Sequence, residues 1–99
     1  MQMERQNQTL IVYLEGELDH CSAQNIRRLL DGCIRDGDVK NMILDMERLA
    51  FMDSSGIGVI LGRYKQIKDK GGRMMVRNMN RQVERVFRLS GMNQVIESM

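Results

Sequence analysis

Three short apolar runs, each followed by a segment whose apolar residues recur at helical spacing, restrict this chain more than any other feature. Thr9-Leu10-Ile11-Val12-Tyr13-Leu14, with Gly16 close behind, predicts a strand covered on both faces, and residues 3–7 are expected to pair with it as a short edge. Ser22 is placed as the N-cap of a first helix whose Ala23, Ile26, Leu29, Leu30, Cys33 and Ile34 share one face, closed by Gly37. Asn41 to Met46 predicts a second buried strand, and Leu49-Ala50-Phe51-Met52 leads out of it into Asp53-Ser54-Ser55-Gly56. A second helix carries Ile57, Ile60, Leu61, Tyr64 and Ile67. Lys65, Lys68 and Lys70 gather toward its end, where they suit the helix dipole, and Gly71-Gly72 stops it. Met74-Met75-Val76 is a third buried strand, Val83, Val86 and Phe87 mark a third helix ending at Gly91, and Val95-Ile96 adds a short edge element. That alternation calls for an α/β fold with right-handed crossovers: a mixed, mostly parallel sheet of four to five strands with helices packed against it.

A chain of 99 residues closes one small core, so residues 1–99 are expected to form a single domain. Ten Met against two Tyr, two Phe and no Trp mean that aliphatic and thioether side chains fill that core, with Met52 and Met79 set aside as contact-surface exceptions. No apolar run approaches the roughly 18 to 20 residues of a membrane span, and the polar start lacks a secretion signal. A cytoplasmic protein without membrane attachment is expected, with Cys21 and Cys33 as reduced thiols. Residues 1–62 carry six basic and ten acidic side chains, and residues 63–99 carry nine and three, a separation that suits a charged protein partner.

Chemistry concentrates in Asp53-Ser54-Ser55-Gly56-Ile57-Gly58, which sets two hydroxyls at a strand-to-helix junction. The unpaired amides and positive dipole end of a helix start favour a phosphate there, so a phosphoserine fits; the competing reading is that Ser54 and Ser55 simply cap the helix. Gly56, Gly58 and Gly62 loosely match a dinucleotide-binding turn, but no acidic residue ends the following strand and one small domain offers no second mononucleotide half. Gly58 and Gly62 are better explained as letting the helix lie close against the sheet. His20 is the sole histidine and no nucleophile elbow surrounds either serine, so no catalytic residue is assigned, and one His with two separated Cys offers no metal cluster. Arg81, Arg85 and Arg88 form a basic stripe that lacks the interleaved aromatics of a nucleic-acid surface and suits protein contact instead.

Residues 51–72, together with Gly16-Glu17-Leu18-Asp19-His20 and the stretch from Val83 to Gly91, closely resemble bacterial anti-sigma factor antagonists, which are STAS-domain proteins, and most of all their sporulation members. The resemblance implies a phosphoprotein of transcription regulation that works by partner switching. Unphosphorylated, it binds an anti-sigma factor that is also a serine kinase and so frees the sigma factor; phosphorylation by that kinase switches it off, and a separate serine phosphatase restores it. Ser54 stands at the family's phosphorylation site, and Asp19, Asp53, Ser55, Gly56 and Ile57 are the expected partner-binding residues, with capping of the first helix as the alternative role of Asp19. The resemblance implies no cofactor of the chain's own, since ATP is used by the partner kinase, and a monomer or weak dimer. A STAS switch or scaffold in stress signalling is the alternative, followed distantly by a small nucleotide-binding domain. Family members continue past the element matching Gln94-Val95-Ile96 into a further C-terminal helix, which is missing where this sequence stops at Met99.

Overall fold

Backbone pairing carries the strands well beyond their apolar runs. In the computed structural model, which describes residues 1–99, the elements are β1 (Gln2–Gln6), β2 (Thr9–Leu18), α1 (Ala23–Ile34), β3 (Asn41–Met52), α2 (Ser54–Asp69), β4 (Met74–Arg77), α3 (Arg81–Leu89), a 3-10 turn (Met92–Gln94) and β5 (Glu97–Ser98). They form one five-stranded sheet in the order β1-β2-β3-β4-β5, antiparallel between β1 and β2 and parallel elsewhere. The expected four to five strands are therefore five. The last lies at Glu97–Ser98 instead of Val95-Ile96, because Ile96 turns into the core while Val95 stays exposed.

Strands in sequential order joined by right-handed crossovers place all three helices on one face of the sheet. That face holds the core: Leu10, Val12 and Leu14 of β2, Met42, Leu44 and Met46 of β3, and Met74 and Val76 of β4 pack with Leu30, Ile60, Ile67, Val83 and Phe87. Full cover on both faces, expected from the unbroken apolar runs, does not occur. The alternate residues Ile11, Ile43 and Met75 are aligned across three strands on the open face. There Ile11 is still only 5% exposed, shielded by its cross-strand neighbours. The next row is polar: Tyr13 donates a 3.0 Å hydrogen bond to Glu4, and Arg77 donates at 2.8 Å to the buried Asp45. No helix is long and apolar enough to cross a membrane.

Two expectations about α1 change. Leu29 is 44% exposed and takes no part in the core, which draws instead on Ala23, Leu30 and Ile34. The end of α1 is held by Lys70, which lies just past α2 and donates from Nζ to the carbonyls of Ile34, Asp36 and Val39. Lys70 thus satisfies the last carbonyl of α1 and two in the loop that follows it, while Lys68 remains in the last turn of α2. Cys21 and Cys33 are free thiols, and burial pushes the Cys33 thiol up from its usual range.

Candidate functional site

The parallel strands β2 and β3 end side by side, and the chain leaves them at one corner of the sheet. Their last stretch, beyond Leu14 on β2, is polar and exposed on its outer side, and the pairing is irregular there, with register shifts between Tyr13 and Glu15 and between Gly16 and Glu17. Gly16 sits at φ +75°, a backbone conformation that a side chain disfavours, and so lets the strand bend and run on to Leu18. The Leu18 carbonyl accepts a 3.3 Å hydrogen bond from Asp53 N–H, which ties the two strand ends together.

Asp53 is the N-cap of α2. Its Oδ1 accepts from Ser55 N–H at 2.8 Å and from Gly56 N–H at 3.4 Å, and its carbonyl accepts from Gly56 N–H and Ile57 N–H at 3.0 and 3.3 Å. Neither serine caps the helix, contrary to one reading of the sequence. Of the amides expected to receive a phosphate, those of Ser55 and Gly56 already hold the Asp53 carboxylate. Ser54 is the first helical residue and is exposed, whereas Ser55 and Ile57 are half-buried.

Gly56 is buried beneath this junction. A methyl group built on it would stand 2.5 Å from Met52 Cγ, 2.8 Å from the Leu18 carbonyl oxygen and 2.9 Å from Leu18 Cγ. Gly56 therefore brings α2 down onto the two strand ends and presents no side chain to a partner. The close approach assigned to Gly58 and Gly62 is not made, since nothing lies within 4 Å of a methyl group on either. Gly58 instead opens onto a groove of about 400 Å³ between the starts of α1 and α2, lined also by His20, Ala23, Gln24, Arg27 and Ser55. Met52 is fully buried, so it is core and no contact-surface exception; Met79 is half-buried against the same core.

Asp19 lies at the same corner, half-buried, and organises the turn into α1. Its Oδ1 accepts from the N–H groups of Cys21 and Ser22, both at 3.0 Å, and its carbonyl accepts from Ala23 N–H at 2.9 Å. The Cys21 and Ser22 amides both precede α1, so the carboxylate orders the turn and only the Asp19 carbonyl meets a helical amide; Ser22 stands at the N-cap position, as expected, but its side chain makes no capping bond, and its hydroxyl donates to the Glu17 carbonyl at 2.7 Å instead. The Ser22 N–H holds the Asp19 carboxyl below the usual carboxylate range, and the hydrogen bond to Asp19 pushes the neighbouring Glu17 carboxyl up. Glu15, Glu17, Asp19 and Asp53 leave the Ser54 corner rich in carboxylates.

Three residues here belong to no motif that marks a role for them: Phe51, Gln82 and Asn80. Phe51, 40% exposed, projects an apolar ring three residues before Ser54, where a strand residue facing solvent would ordinarily be polar. Gln82 on α3 grips Met52: its Oε1 accepts from Met52 N–H at 3.0 Å and its Nε2 donates to the Met52 carbonyl at 2.9 Å. Next to it, Asn80 Nδ2 donates to the carbonyls of Leu49 and Ala50, both at 3.1 Å, while its Oδ1 caps α3 through Val83 N–H at 2.8 Å. An amide early in a helix looks like any solvated polar residue until the fold brings a strand end against it.

A sheet in sequential order with one antiparallel edge, helices on a single face, and an exposed serine just after the Asp53 cap at the β3–α2 junction define the class. The STAS domain model matches residues 1–99, and the chain belongs to that family. Within it, an anti-sigma F factor antagonist of Paenibacillus polymyxa is 43% identical over 96 residues, spanning 97% of this chain and 82% of that protein. The anti-sigma factor antagonist SpoIIAA, solved in its unphosphorylated form, superposes with a TM-score of 0.78 at 34% identity over 99% of this chain and 86% of its own. The phosphorylated form of the Bacillus cell fate determinant SpoIIAA gives 0.77 at 35% identity, over 99% and 89%.

Proposed function

We propose that this chain is an anti-sigma factor antagonist switched by phosphorylation of Ser54. The observation that carries the reading is the exposed Ser54 set on a helix start where the Ser55 and Gly56 amides are already bonded to the Asp53 carboxylate. A phosphoryl group adds about −1.5 to −2 charges. At most helix starts the fold would absorb that charge. Here Asp53 repels it, so it is displayed outward, toward whatever has docked on this corner.

In the transfer step the Ser54 Oγ attacks the γ-phosphorus of ATP held by the partner kinase. The bond from that phosphorus to the β-phosphate bridging oxygen breaks, ADP leaves, and the hydroxyl proton passes to a base on the partner. This chain contributes the hydroxyl and its placement; the nucleotide and the catalytic groups are the partner's. A serine phosphatase reverses the step by hydrolysis to free serine and inorganic phosphate.

The unphosphorylated corner, with Ser54 and Phe51 exposed and Asp19, Asp53, Ser55 and Ile57 around them, binds the anti-sigma factor and releases the cytoplasmic sigma factor. Gly56 acts beneath that surface. The near-equal likeness to both forms of SpoIIAA supports a switch that alters the surface without refolding the carrier. The test is intact mass after incubation with ATP and the anti-sigma factor kinase from the same cell. The expected result is one added phosphoryl group on the wild type and none on Ser54→Ala; a mass gain on both, or on neither while the kinase phosphorylates a control substrate, overturns the reading.

A further inference from the structure

β4 stops pairing with β3 at the Asp45–Arg77 step, yet β3 continues for seven more residues to Met52. Over that stretch the edge of β3 that faced β4 has no strand beside it. In an extended chain the N–H and C=O of one residue point to the same edge, so Met52 presents one donor and one acceptor there. Its opposite edge is pinned one residue later, where Asp53 N–H donates to the Leu18 carbonyl. The side-chain amide of Gln82 supplies one acceptor and one donor to Met52, at 3.0 and 2.9 Å, and so takes the place of a strand residue.

From this geometry we infer that Gln82 is a positioning residue for Ser54: it completes the grip on the chain just before the switch and holds the serine hydroxyl where a kinase must find it. The inference rests on the phosphorylation switch proposed above. Gln82 is itself well anchored, because its neighbour Val83 is fully buried and Phe87, one turn on, is 1% exposed. The backbone that carries the amide is therefore fixed by the packing of α3. Two edges are gripped at successive residues, Met52 by Gln82 and Asp53 by Leu18, and Ser54 follows at once. Without Gln82 the nearest hold on that edge is Asn80 on the Leu49 and Ala50 carbonyls, and the last step before Ser54 is bonded on the Leu18 side only.

Phosphoryl transfer depends on the attacking oxygen reaching an in-line position, and small displacements there are costly to rate. Affinity for the kinase is set by the whole docked surface. Removing the grip should therefore lower kcat for Ser54 phosphorylation and leave KM largely alone.

The experiment uses Gln82→Met, which keeps the length of the side chain and deletes both hydrogen bonds, and Gln82→Glu, which keeps an acceptor and deletes the donor. Steady-state phosphorylation by the anti-sigma factor kinase is read together with amide hydrogen exchange at Met52, with Val12 and Leu44 in the central strands as the reference. The expected result is a kcat lower by about tenfold or more, a KM within about threefold of wild type, and, in Gln82→Met, faster exchange at Met52 without change at Val12 and Leu44. Wild-type kcat in both variants overturns the inference, and so does unchanged exchange at Met52 in Gln82→Met. Equal acceleration at all three amides also overturns it, since the loss then belongs to the whole fold. A wild-type chain that accepts no phosphoryl group removes the proposed switch and this role together, and is told apart from a failure of Gln82 alone because the wild type itself fails.

Discussion

Replacing Gly56 and Gly58 separately by Ala tests how α2 meets the sheet. In both places Ala favours the helix over Gly by about 1 kcal/mol, so without tertiary constraint both variants would be more stable than the wild type. At Gly56 the new methyl group meets three atoms between 2.5 and 2.9 Å away, one of them the Leu18 carbonyl oxygen. That oxygen is held by Asp53 N–H, and both Met52 and Leu18 are fully buried, so none of the three has free space to retreat into. Overpacking of this kind costs roughly 3 kcal/mol at the upper end of its usual range, which leaves a net loss of about 2 kcal/mol after the helical gain. For a domain of this size that lowers Tm by about 8 to 16 °C. At Gly58 nothing lies within 4 Å, so the gain stands unopposed. Gly58→Ala should then raise stability by about 0.5 to 1 kcal/mol, or Tm by roughly 2 to 8 °C. Urea unfolding followed by far-UV circular dichroism, with thermal scans alongside, reads both. A Gly56→Ala variant as stable as wild type, or a Gly58→Ala variant clearly less stable, would refute the argument that Gly56 alone marks the close approach.

Two further outcomes follow from the ion and hydrogen-bond networks. Lys70→Met removes the ammonium that serves the carbonyls of Ile34, Asp36 and Val39, and a charged-group hydrogen bond contributes about 1.5 to 3 kcal/mol; urea unfolding should show a loss of that order, and no loss would mean that water serves those carbonyls equally well. Burial of Asp45 raises its carboxyl pKa, but Glu47 N–H, Arg77 and Asn78 outweigh it and hold the carboxyl below the usual range. A folded-state pKa depressed in this way contributes stability that is fully present above the unfolded value of about 3.9 and is lost as pH falls through the folded value. The stability gap between wild type and Asp45→Asn, measured by urea unfolding, should therefore be widest near pH 7 and narrow below about pH 4; a gap constant with pH would contradict the assignment.

The apolar runs located the three central strands because the residues facing the helices, such as Val12, Leu44 and Val76, must be apolar wherever a helix covers them. The ends of β2 and β3 were not legible in the same way. Glu15 and Glu17 pair through their backbones, and Gly16 bends the strand, so no alternation of side chains announces them. The open face was hidden for the opposite reason: Ile11, Ile43 and Met75 form one apolar row on it, which makes the runs look buried on both sides. At the junction the sequence marked the segment Asp53 to Ile57, but not which of its residues takes the helix amides. Ser and Asp are both good caps, and only the geometry shows that Asp53 takes the amides and leaves Ser54 exposed. Likewise Gly56, Gly58 and Gly62 are equivalent on paper until the depth of α2 above Met52 and Leu18 is known. Gln82 acts across 30 positions of chain, a distance at which no local pattern reports a contact.

The most direct test of the switch is the affinity of the anti-sigma factor for this chain, measured by calorimetry for the unmodified protein and for the protein phosphorylated at Ser54. If the phosphoryl group is displayed outward beside Asp53, affinity should fall by about tenfold or more while the backbone amide spectrum away from residues 51–57 stays as it was. Equal affinity in the two states would contradict the switch, and so would a loss of affinity accompanied by changes spread through the sheet.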